Sequence, residues 1–253
     1  MRLPIQHIEC FHLVLLRMME SRVDRSGWIV KGGVNLRLWF ESHLCSEDLV
    51  VDAIKGSPHG LADRMDKLLS ARTFRDMLES QGLRLTRCSK PKQTATTQRW
   101  KFEIQAEGVE VPLHTRVEFS RRGSAEAHAL EPARSDVVRP YGLLAPTVNH
   151  YTARSAVRQK IAALAARAEP QARDVWGLEH LLRTTGVDPG PFAPAERRAL
   201  AVALDRATGL SFEVYRSQVV PYLPPEQQEL CGAADAWDRM RELVVDRLAG
   251  HLE

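Results

Sequence analysis

The sequence predicts an α/β chain: a mixed sheet with flanking helices, followed by a C-terminal bundle of helices. Three observations support this. Short segments at 48–52, 83–86, 98–105 and 111–120 alternate like strands. Apolar residues recur at helical spacing over about 5–20 and 61–80. From Tyr151 onward the pattern is helical alone, over about 152–168, 171–184, 194–207 and 225–251, with proline or Asx/Gly signals between. The expected boundary lies near residue 148. It separates an α/β domain over 1–148 from a helical domain over 149–253.

Composition narrows the function classes. The chain has 253 residues, 44% hydrophobic and 26% charged, enough for one large or two modest globular domains. A net charge of +3 permits an acidic partner without demanding one. Cys10, Cys45, Cys88 and Cys231 show no C-x-x-C spacing, so they read as reduced thiols of a cytoplasmic protein, not a zinc or disulfide frame. No apolar run reaches the roughly 18 residues of a membrane span. Glu9 and His12 interrupt the first apolar run, which therefore does not read as a signal peptide. The nine histidines lack H-x-x-x-H and H-E-x-x-H spacing. G-x-S-x-G and P-loop motifs are also missing, so hydrolase and Walker-type readings have no support.

In chain order, Ile8, Phe11, Leu15, Met18 and Met19 mark a core-facing first helix, the methionines serving as filler. Trp28, Ile29 and Val30 then lead into Gly32-Gly33, where backbone N–H groups can approach an anion because no side chain blocks them. Val34 to Phe40 reads as a short helix. Ser46-Glu47-Asp48-Leu49-Val50-Val51-Asp52 follows as a strand with Asp48, Val50 and Asp52 on one face. A phosphate-cradling turn opposite strand-borne carboxylates suits metal-assisted phosphoryl or nucleotidyl transfer. Each part alone has a plainer reading: glycine pairs form ordinary turns, and strand acids are often just solvated.

Ser57-Pro58 breaks the chain before the 61–80 helix, whose Met65, Leu68, Leu69, Phe74 and Leu78 suit a sheet face. Glu107-Gly108 is a plausible hairpin turn. The stretch 82–102 holds Arg84, Arg87, Lys90, Lys92, Arg99 and Lys101 and no acid, a pattern fit for RNA phosphates or for guarding a sheet edge. Residues 123–146 read as loop, with Pro132, Pro140 and Pro146 as breakers.

The order K-G-G-x-x-L-R-L, then S-E-D-L, resembles the nucleotidyltransferase toxins of the AbiEii/MenT type, a toxin–antitoxin and abortive-infection family. Gly32, Gly33, Ser46 and Asp48 match directly. Val50 stands where the family's D-x-D has its second Asp. Arg116-Val117-Glu118-Phe119-Ser120 is similar to the family's K-x-E-x-S segment, which makes Glu118 the third carboxylate. The resemblance assigns metal binding to Asp48 and Glu118, with Asp52 as helper. A second block, Val157 to Arg167 and Ala172 to Leu178, is similar to the family's E-K…R…R-D helix pair, with Gln159 and Gly177 as departures. It assigns Lys160 and Arg167 to the nucleotide phosphates. Asp174 would position Lys160 or act as base toward an RNA hydroxyl.

Over residues 28–178 the resemblance implies a nucleotidyltransferase fold whose cleft is closed by the helical part. It also implies Mg²⁺, an NTP substrate, tRNA or another RNA as acceptor, a block of translation, and a winged-helix antitoxin. Two further readings stay open: a binding or regulatory relative disabled by Val50, and a transferase acting on a protein or small-molecule hydroxyl.

Overall fold

Alternation along β1 (Trp28–Lys31) sends Trp28 and Val30 to the helix-covered side of a sheet, and Ile29 and Lys31 to the other. The structure, a computed structural model, describes residues 2–122 and 126–252. It divides into two compact units, Met1–Trp39 with Cys45–Tyr151, and Phe40–Leu44 with Thr152–Glu253.

The first unit adds α1 (Pro4–Arg22), α2 (Gly32–Trp39), β2 (Asp48–Ala53), α3 (Pro58–Ser70), α4 (Arg72–Glu79), β3 (Leu83–Gln93), β4 (Thr97–Ala106), β5 (Leu113–Ser120), β6 (His128–Pro132), α5 (Ser135–Val138) and β7 (Thr147–Tyr151). Its seven strands lie in the order β3-β4-β5-β2-β1-β7-β6. The β1–β7 and β2–β5 pairs are parallel, and the rest are antiparallel. Phe11 and Leu15 of α1, Met65 and Leu68 of α3, and Phe74 and Leu78 of α4 pack in one apolar cluster. It includes Leu49 and Val51 of β2, Trp100 and Phe102 of β4, and Val117 and Phe119 of β5. Burial of this order, ~1.5–3 kcal/mol per large side chain, fixes which face of each strand looks inward.

The second unit consists of α6 (Ala153–Ala166), α7 (Ala172–Thr185), α8 (Pro194–Gly209), α9 (Phe212–Gln218), α10 (Pro225–Cys231) and α11 (Ala234–Ala249). Tyr215 stacks on Trp237 with ring centroids 4.5 Å apart, and the Trp237 indole N–H donates to Leu210 O at 3.2 Å. Among the described residues no helix is long and apolar enough to cross a membrane.

Several elements differ from expectation. The 61–80 helix is two helices, because Ala71 is extended (φ −69°, ψ 135°), and this bend lets both apolar faces reach the cluster. β3 runs on to Gln93 instead of ending at Thr86. Within the expected 123–146 loop lie β6 and α5; residues 123–125 fall outside the described set. The last helix is broken at Gly232, where a Cβ would sit 2.4 Å from Gln228 O. The separate helix α9 precedes it.

Candidate nucleotide site

The turn out of β1 is built for glycine. Gly32 has φ +70°, a left-handed conformation that L side chains rarely adopt. At Gly33 a Cβ would lie 3.0 Å from Ser46 Oγ and 3.1 Å from Ser46 Cβ. The Ser46 hydroxyl in turn donates to Asp48 O at 2.8 Å. Gly33, Ser46 and Asp48 are therefore held as one unit, with the N-terminus of α2 beside the start of β2.

Register completes the open face of the sheet. Asp48 lies opposite Arg116, and Val50 lies between Glu118 on β5 and Lys31 on β1. Arg99 of β4 faces Glu118 from the other side. An Arg116 guanidinium nitrogen is 2.7 Å from Asp48 Oδ2, and Arg99 Nε donates to Glu118 Oε2 at 2.7 Å. The Asp48 and Glu118 side chains remain 26% and 24% exposed.

Asp52 behaves differently. Lys31 Nζ is 2.6 Å from its Oδ1, Tyr151 donates its hydroxyl to Oδ2 at 2.8 Å, and only 3% of the side chain is exposed. By strand rise it lies ~13 Å from Asp48, too far to share one ion. The expected helper ligand is thus engaged in joining β1, β2 and β7. Among the described residues no three His, Cys, Asp or Glu side chains gather as a metal cage. Asp48 and Glu118, reachable from solvent on adjacent strands, suit one Mg²⁺, which commonly takes one or two carboxylates together with substrate phosphates.

The basic stretch also divides. Arg84, Arg87 and Lys101 are exposed and Lys92 partly so. Cross-strand pairing puts all four on the Arg99 face. Lys90 turns to the other face and pairs with Asp66 of α3 at 2.5 Å, while Arg99 is taken by Glu118.

In the helical unit, Asp174 opens α7 at 2% exposure and binds Lys160 Nζ through Oδ1 and Arg167 Nε through Oδ2, each at 2.9 Å. Burial alone would raise its pKa; the two cations outweigh it and hold the carboxyl below the usual range. Asp174 thus holds Lys160 and Arg167 in place, joining the start of α7 to α6 and its C-cap.

Sequence reading missed Arg116, Lys31 and Tyr151, which meet the acids only through strand pairing. It also gave no role to Arg37. Arg37 Nε donates to Glu9 Oε1 at 2.6 Å, and Tyr141 donates to Glu9 Oε2 at 2.6 Å, tying α2 to α1. In this buried pocket the Tyr141 phenol is pushed up, and the Cys45 thiol is pushed up to about 12, mainly by burial.

With this geometry in place, a family match decides the kinship. The family described as nucleotidyl transferase AbiEii toxin, type IV toxin–antitoxin system, matches residues 14–246. The chain belongs to the AbiEii family. Two solved structures from Helicobacter pylori share the fold of this AbiEii chain. One is JHP933, with a TM-score of 0.60 at 15% identity, covering 98% of this chain and 94% of that one. The other is a candidate nucleotidyltransferase, with a TM-score of 0.62 at 14% identity, covering 99% and 98%. No curated protein matches the AbiEii chain by sequence.

Proposed function

We propose that the chain transfers nucleotides from an NTP to RNA, the 3′ end of a tRNA being the acceptor, and that this blocks translation. The observation that carries the reading is the Gly33–Ser46–Asp48 unit, which sets a side-chain-free helix N-terminus next to a reachable carboxylate. In the reaction the acceptor hydroxyl oxygen bonds to the α-phosphorus, the α–β bridging P–O bond breaks, and pyrophosphate leaves. The hydroxyl proton passes to solvent. Backbone N–H groups at Gly32, Gly33 and the start of α2 hold phosphate oxygens, while Asp48 and Glu118 would hold Mg²⁺. When bound, that ion neutralises charge building on the phosphates. Resemblance to the family's helix pair supports a phosphate-neutralising role for Lys160, held by Asp174 together with Arg167. Arg84, Arg87, Lys92 and Lys101 offer contacts to an RNA backbone. Membership of a type IV toxin–antitoxin family supports an antitoxin partner; a winged-helix antitoxin and a cytoplasmic setting complete the proposal.

The test is transfer of radiolabelled NTPs to total tRNA with Mg²⁺, using the native chain, Asp48→Ala and Val50→Asp. Labelled tRNA from the native chain, lost in Asp48→Ala, is the expected result. A second reading rests on Val50, which stands between Glu118 and Lys31 where a carboxylate would complete an acid cluster. Label from Val50→Asp alone would mean a cleft disabled at that one position. Silence in all three would overturn the RNA reading.

A further inference from the structure

Each of the two reachable carboxylates of this site already has a cation. Arg116 of β5 neutralises Asp48 of β2, and Arg99 of β4 neutralises Glu118 of β5, each from the neighbouring strand. These pairs are unlike Lys31–Asp52, which is sealed by burial and by Tyr151. Partly exposed ion pairs contribute little stability, so a competing ion can displace the arginine at little cost. A displaced arginine does not become idle. Its planar fork of N–H donors matches phosphate oxygens two at a time.

We propose that Arg116 and Arg99 are triphosphate-binding side chains of the sheet face, and that they move from Asp48 and Glu118 to the NTP when a divalent cation takes the carboxylates. The proposal rests on the NTP reading above and assigns that reading its phosphate ligands. Three consequences follow from the exchange. Without nucleotide, the arginines compete with a divalent ion for the same oxygens and hold its affinity down. With nucleotide present, the arginines have somewhere to go, so ion and NTP promote each other's binding by the same factor. The empty site is therefore charge-balanced, two carboxylates against two arginines, which a cluster of three bare acids would not be.

The sign of the effect separates this from a structural role. Loss of either arginine should strengthen binding of the ion alone and weaken binding of the nucleotide with its ion. A residue that merely braces the sheet would weaken both. The experiment uses the full chain and its Arg116→Met and Arg99→Met variants, with folding checked by circular dichroism and thermal melting. Mn²⁺ binding without nucleotide is read by the electron paramagnetic resonance signal of the free ion. Nucleotide binding is read by titration calorimetry with ATP, GTP, CTP and UTP, each in saturating Mg²⁺.

The expected result is a severalfold tighter Mn²⁺ dissociation constant in each Met variant, with NTP affinity lowered about tenfold or more, the scale of a lost charge-assisted hydrogen bond. Arg116→Lys and Arg99→Lys decide the matter should the Met variants unfold. They keep the charge that restrains Mn²⁺ but lose the fork, so Mn²⁺ affinity should stay native while NTP affinity falls. Unchanged or weaker Mn²⁺ binding in the Met variants, or unchanged NTP affinity in either series, overturns the exchange. A native chain that binds none of the four NTPs overturns the NTP reading itself, and the exchange with it.

Discussion

Gly33 is the residue at which the site tolerates least change. An added methyl would press on Ser46 Oγ and Cβ, and Ser46 cannot swing aside without giving up its bond to Asp48 O. Gly33→Ala should therefore cost ~1–3 kcal/mol through overpacking. Because the displaced residue carries Asp48, NTP affinity should fall as well. Ser46→Gly in the same chain removes both crowded atoms, so the double variant should be more stable than the sum of the single changes. A double-mutant cycle of melting temperatures measures that coupling, and strict additivity would show that Gly33 is not packed as described. Val50 is the opposite case, a position with a gain available. Val50→Asp puts a carboxylate between Glu118 and Lys31, and Mn²⁺ affinity should rise. No rise would mean that the departure from D-x-D does not limit metal binding here.

At the scale of elements, the β3–β4 hairpin shows what sequence can and cannot specify. β4 and β5 were legible because one face is buried: Trp100, Phe102, Val117 and Phe119 alternate with charged neighbours. The end of β3 was not, since its residues beyond Leu85 are largely exposed on both faces and only the ladder to β4 keeps them extended. β6 was hidden for the same reason, and the bend at Ala71 carries neither glycine nor proline. The site follows a similar rule. Gly32, Gly33, Ser46 and Asp48 are close in sequence and readable from spacing, whereas Arg116, Arg99 and Tyr151 reach the acids only after strands pair. Pairing also sorts the six basic residues of the hairpin by face. Arg87→Ala combined with Lys101→Ala should weaken tRNA binding and flatten its salt dependence by up to about one unit of slope per lost phosphate contact. Lys90→Ala, on the Asp66 side, should leave that slope unchanged in filter-binding titrations over a range of salt. Equal effects from both variants would remove the open face as the RNA surface.

For the molecule as a whole, acid sensitivity is set by histidines buried in neutral form. Thr115 donates its hydroxyl to Glu47 O at 2.6 Å, so in the 2.7 Å contact with His12 the imidazole donates from Nε2. Burial pushes His12 down to about 3. His7, His150 and His180 are also lowered, first of all by burial. In the unfolded chain all four would titrate near 6.5. Below that pH the unfolded state binds protons that the folded state refuses, so the stability they confer is complete above about pH 6.5 and is lost as pH falls toward the folded values. Asp174, lowered by Lys160 and Arg167, acts in the same direction but only as pH enters the carboxylate range near 4. The window from about 6.5 to 4.5 therefore reports histidines. Denaturant unfolding across it should show a free energy that declines with falling pH. His12→Gln, which keeps an N–H for Thr115 but cannot titrate, should show a slope smaller by up to about 1.4 kcal/mol per pH unit, the worth of one proton. Identical slopes for the two chains would mean that His12 carries its proton in the folded state, against its burial.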